Sequence, residues 1–92
     1  MSFLRPYEIV APLTVYEELR GMPRADRRRV VDFLQRLTRQ PSLPGDFEAP
    51  AEDGRAHQVK TVGDWIVSYW PDHAAREIRL SGIEEKIGRA HV

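Results

Sequence analysis

Apolar positions follow a period of two in the last third of the chain and a helical period before it. From Gln58 to Ile83 the residues read as three β-strands joined by two tight turns, Gly63-Asp64 and Pro71-Asp72-His73. Trp65, Ile66, Val67, Tyr69 and Trp70 lie between the breaks, and aromatic and β-branched residues suit a pleated, half-buried surface. Beyond the second turn, Ile78 and Leu80 point one way and Glu77, Arg79 and Ser81 the other, the signature of a strand with one wet face. The earlier residues must then cover the dry face.

Those residues supply one short strand and two helices. Tyr7, Ile9 and Ala11 fall on one side of an extended stretch that Pro12 ends. Thr14 and Glu17 fit a capping box, Val15, Leu19 and Met22 form a stripe to about Arg20 with Tyr16 beside it, and Gly21 fits a C-cap. A second helix runs from Pro23 to about Arg39, with Val30, Phe33, Leu34 and Leu37 at helical spacing and Val31 widening the stripe. Pro41 and Pro44 stop it. Asp46 to Ala49 fits a short strand, and Glu52-Asp53-Gly54 a hairpin turn leading to a strand near Ala56. The predicted class is α+β: an N-terminal strand, a two-helix hairpin, then a three- to four-stranded antiparallel meander with the helices packed on one sheet face.

With 92 residues the chain can bury one core. It contains no cysteine, so packing alone must hold it, and no apolar run reaches the length of a membrane span. The first residues, MSFLRPYEIV, lack the h-region of a signal peptide, so no membrane role and a cytoplasmic location are expected. A zero net charge hides an asymmetry. Arg20 to Gln40 holds seven arginines against Asp26 and Asp32, whereas Pro41 to Gly54 holds Asp46, Glu48, Glu52 and Asp53 with no base. A basic helix facing a polyanion is one reading, and a solvated helix partly paired with the acidic loop is the other.

Candidate chemistry is sparse. None of Ser2, Ser42, Ser68 and Ser81 sits in a nucleophile elbow, His57, His73 and His91 lack metal-ligand spacing, and no glycine-rich phosphate loop is present, so no cofactor or metal is expected. His57, Lys60 and Arg79 lie on predicted strands, with Arg55 at the preceding turn. Together they suit gripping a phosphodiester, with His57 moving a proton near neutral pH in a metal-independent endoribonuclease. Taken singly, His57 reads as a partly exposed strand residue, Lys60 and Arg79 as wet-face charges and His73 as a turn former. Trp65, Tyr69 and Trp70 read either as core or rim, or as platforms that stack single-stranded RNA, with Trp65 and Tyr69 taken as the RNA-binding pair.

The stretch Val62-Gly63-Asp64-Trp65-Ile66-Val67-Ser68-Tyr69, preceded by Gly45-Asp46-Phe47-Glu48, Asp53-Gly54-Arg55 and Gln58-Val59-Lys60 and followed by Trp70-Pro71-Asp72-His73-Ala74, resembles the RelE/ParE toxin superfamily, in the subgroup labelled plasmid-stabilisation or RelE-like proteins. The similarity covers Tyr7 to about Glu85. It implies the toxin of a bacterial type II toxin–antitoxin pair, bound by a cognate antitoxin in a hetero-oligomer and acting on ribosome-bound mRNA or on DNA gyrase. Of the implied site residues Lys60 carries over as a phosphate-binding base. Two positions depart from the ribonuclease pattern: Ile66 stands where an arginine commonly follows the G-D-aromatic triplet, and Glu84-Glu85-Lys86 stands where an arginine and then a tyrosine follow the last strand. The departures favour a second reading, a non-catalytic module that binds protein or nucleic acid.

Residues 86–92, KIGRAHV, match the translation of a sequencing-library adapter, AAG ATC GGA AGA GCA CAC GTC. A single domain over residues 1–85 followed by a foreign tail is therefore expected.

Overall fold

The computed structural model describes residues 5–86. The order is β1 (Glu8–Val10), α1 (Leu13–Gly21), α2 (Arg24–Arg39), β2 (Phe47–Pro50), β3 (Ala56–Val62), β4 (Trp65–Asp72) and β5 (Glu77–Glu85). Strands β2 to β5 form an antiparallel meander, and β1 joins its far edge parallel to β5, giving the order β1-β5-β4-β3-β2. The α+β arrangement expected from the patterning is the one observed. The adapter-like stretch lies outside the described residues from residue 87 onward, Arg89 and His91 included.

Both helices cover the same side of the sheet. Val15 and Met22 from α1 and Val30, Phe33, Leu34 and Leu37 from α2 are buried against Trp65, Val67, Tyr69, Ile78, Leu80 and Ile83. Tyr7, Ile9 and Ala11 pack at its margin as their alternation predicts. The Tyr69 ring meets Phe33 edge-on at 5.7 Å, and its hydroxyl donates to the Leu43 carbonyl at 3.0 Å. Trp65 donates its indole N–H to Asp26 at 3.0 Å, tying the start of β4 to α2.

The caps of α1 differ from expectation. Helix α1 starts at Leu13 with Pro12 as its N-cap, and no side chain caps it, so Thr14 and Glu17 do not form a capping box. Pro12 has an extended ψ of 157°, and the chain enters the helix one residue before Thr14, which is already inside the first turn. At the other end Gly21 is the last helical residue and Met22 the C-cap. Arg27 does the capping from α2: its guanidinium donates to the carbonyls of Leu19 (3.0 Å), Arg20 (3.5 Å) and Met22 (3.2 Å). Strand β4 also continues through Pro71 and Asp72, so the second turn begins at His73.

Two local devices shape the meander. Gly63 has a φ of +62° between β3 and β4, a conformation that glycine adopts without a steric penalty. In β5, Tyr69 pairs with Leu80 while Ser68 pairs with Gly82, which leaves Ser81 as a bulge. The bulge resets the alternation, so that Ile83, an odd step from Leu80, still pairs with buried Val67.

Candidate functional site

Directly opposed residues in a sheet share a face, so the register sorts every predicted site residue. Val62 with Trp65, Lys60 with Val67 and Gln58 with Tyr69 belong to the helix-covered side. Thr61 with Ile66, Val59 with Ser68, and Trp70 with Arg79 belong to the open side, and His57 follows Val59 in parity. The structure therefore brings His57, Arg55 and Arg79 together and separates them from Lys60.

His57 is the centre of the open-face cluster. It is only 6% exposed, which corrects the expectation of a partly exposed strand residue. Its Nδ1 lies 2.8 Å from the Ser81 hydroxyl, which the bulge brings onto this face, and its Nε2 lies 3.0 Å from Asp53 Oδ2. A carboxylate only accepts, so Nε2 donates to Asp53, and in the neutral imidazole Nδ1 then accepts from Ser81. The burial follows from these two contacts and from the Trp70 ring, 6.3 Å away between centroids. The backbone N–H of Arg55 donates to Asp53 Oδ1, and this bond first, with His57 and the Arg55 charge adding to it, holds the Asp53 carboxyl below its ordinary pKa.

The two arginines are neutralised where they stand. Arg55 stacks on Trp70 at 3.8 Å from the ring centre and reaches Asp53 at 3.4 Å. Arg79 approaches the same ring at 5.9 Å and forms ion pairs with Glu77 at 2.8 Å and Asp72 at 3.4 Å. Lys60 is paired on the other side, 3.3 Å from Asp46. The amide of Thr61 first, and Lys60 second, hold the Asp46 carboxyl below its ordinary pKa.

Trp65 and Tyr69, expected to stack RNA bases, are 7% and 0% exposed and present no ring face to a ligand. Trp70 is the open-face aromatic, and its parity was the available signal, because it alone of the three steps out of the Trp65-Val67-Tyr69 series. His73 sits in its turn, bonded to the Tyr7 hydroxyl at 2.7 Å. Beside His57 lies a cavity of about 570 Å³, floored by Ala49, Val59 and Gly82 and rimmed by Glu52, Asp53 and Glu84. No lysine or arginine lines it. Edge strand β2 borders it, with Phe47 59% exposed. Among the described residues no group of three or more His, Cys, Asp or Glu side chains is placed to hold a metal ion, and no helix is long and apolar enough to cross a membrane.

No protein-family model and no curated protein sequence matches the chain. Solved structures share its fold, two of them from toxin–antitoxin complexes. A chain of the archaeal RelE–RelB complex from Pyrococcus horikoshii OT3 superposes with a TM-score of 0.73 at 21% identity, covering 92% of this chain and 99% of that one. A chain of the toxin–antitoxin complex RelBE2 from Mycobacterium tuberculosis superposes at 0.66 with 19% identity, covering 87% and 98%. The strand, helical hairpin and antiparallel meander described above are thus the RelE fold.

Proposed function

Starting from the RelE fold, we propose that this chain is the toxin-type member of a bacterial type II toxin–antitoxin pair, held by a cognate antitoxin and acting on translation or on DNA gyrase. The supporting observation is the near end-to-end overlap, in both directions, with chains taken from two toxin–antitoxin complexes. The open face of the sheet, with its cavity and the exposed edge of β2, is the surface offered to the antitoxin.

The geometry favours binding over cleavage at this face. A ribonuclease of this design needs cations free to meet a developing phosphorane charge. Arg55 and Arg79 each already hold a carboxylate, Lys60 belongs to the opposite face, and the cavity rim is acidic. The non-catalytic alternative, a degenerate toxin that only binds, rests on this neutralisation.

Growth after induction in a bacterial host separates the readings, using the 92-residue chain and a form whose codons after Glu85 are read from genomic DNA. Arrest with cleaved mRNA supports the ribonuclease, and arrest with DNA-damage signalling and intact mRNA supports gyrase. Healthy growth at good expression of both forms removes the toxin reading. Arrest that survives the double change Lys60→Ala and Arg79→Ala takes both residues out of the mechanism.

A further inference from the structure

The basic run of the second helix plays no part in the cleft. Arg24, Arg28, Arg29, Arg36 and Arg39 are all exposed on α2. At about 100° per residue they fall within a sector of about 140°, opposite the buried stripe, along a helix about 24 Å long. Arg27 points elsewhere and is consumed in capping α1.

Two structural facts turn this run into a surface with a purpose. Partial pairing with the acidic loop does not occur: among the described residues none of the five forms an ion pair. Three of the four carboxylates of that loop are engaged on the far strands, Asp46 with Lys60 and the Thr61 amide, Glu48 with Gln58, and Asp53 with Arg55 and His57, and the fourth, Glu52, lines the cleft. Asp26, the acid nearest the start of the helix, is held by Trp65, which leaves Asp32 as the exposed carboxylate of the sector. Five arginines against one exposed carboxylate leave a net positive helix face that attracts a counter-charge. The molecule is thus bipolar, with an acidic cleft on one side of the sheet and an unneutralised cationic helix on the other.

We propose that the exposed arginine face of α2 docks on the phosphate backbone of a nucleic-acid double helix, on the opposite side of the sheet from the cleft. A row of guanidinium groups matches phosphates. The aromatic residue of α2, Phe33, is buried, so the face has no ring on which an unpaired base can stack, and this selects a duplex over a single strand. The helix lies flat with its apolar stripe on the sheet, so it lies across phosphates instead of entering a groove to read bases. The proposal does not depend on toxicity.

Fluorescence anisotropy with end-labelled duplex DNA, duplex RNA of the same sequence and the matching single strand tests it, over a series of salt concentrations. The expected result is binding to duplex in preference to single strand, falling steeply with salt. Arg28→Gln and Arg36→Gln together should weaken duplex binding across sequences and reduce the log–log salt slope by about 0.9 for each phosphate that is no longer neutralised. Glu84→Gln, on the open face, should leave binding unchanged. The duplex arms identify which helix is held. Three results overturn the proposal: no duplex binding at low salt, an unchanged slope in the α2 variant, or tighter binding in Glu84→Gln. All three substituted residues are exposed, and far-ultraviolet circular dichroism checks that each variant is folded.

Discussion

Replacing Tyr69 by phenylalanine should produce a stability difference that changes with pH in a defined direction. Tyr69 is fully buried, and its hydroxyl donates to the Leu43 carbonyl at 3.0 Å. Removing it leaves that carbonyl unpaired, at a cost of about 1–3 kcal/mol near neutral pH. Burial first, and the Asp46 charge second, raise the Tyr69 pKa from 10.0 to about 12. A raised acid pKa means that the folded state holds the proton more tightly than the unfolded chain. The resulting stability is complete below pH 10 and is lost as pH climbs towards 12. At about 1.4 kcal/mol per unit the loss is at most about 3 kcal/mol. Tyr69→Phe has no such proton, so its disadvantage should shrink across this window and vanish near the top of it. Urea unfolding of both proteins at about pH 8 and in steps from about pH 10 to about pH 12 measures the gap. Two curves that fall in parallel would refute both the burial of the hydroxyl and its titration.

Leu37→Ala should lower unfolding free energy by about 2–5 kcal/mol, because Leu37 is 0% exposed in the centre of the helix stripe; a loss under about 1 kcal/mol in urea titration would mean the site collapses around the gap. Gly45→Ala should destabilise by about 1–3 kcal/mol despite being a loop substitution, since a Cβ there would sit 2.5 Å from the Val59 carbonyl oxygen. A Gly45→Ala protein that unfolds at the same urea concentration as the parent contradicts that close approach.

Much of the architecture was legible because its signals are local. The Val30-Phe33-Leu34-Leu37 stripe fixes α2, and Asp53-Gly54 and Gly63-Asp64 fix two of the turns. The parallel addition of β1 to β5 was not legible, since Tyr7 to Ala11 shows a strand but not its neighbour. The candidate site was less legible. Lys60 and His57 look alike as polar strand residues three apart, yet an odd separation puts them on opposite faces. That conclusion needs the register, not the residue type. His57 looked exposed because its partners, Asp53 and Ser81, come from a turn and from a bulge on another strand. The bulge itself left a trace: the apolar positions Ile78, Leu80 and Ile83 change parity between the second and third. Arg27 and its neighbours read as one basic run, and only tertiary structure separates the capping arginine from the five that face outward.

The bulge at Ser81 also marks where β5 can change length over evolution. Losing that one residue would set Leu80 and Gly82 side by side against Tyr69 and Ser68, restoring plain alternation while Ile78, Leu80 and Ile83 keep their places over the helices. A one-residue gap elsewhere between Glu77 and Glu85 would instead turn half the strand inside out. In a set of homologous sequences, single-residue length variation in the last strand should therefore collect at this position. Lineages can then gain or lose the hydroxyl that faces His57 without disturbing the interior.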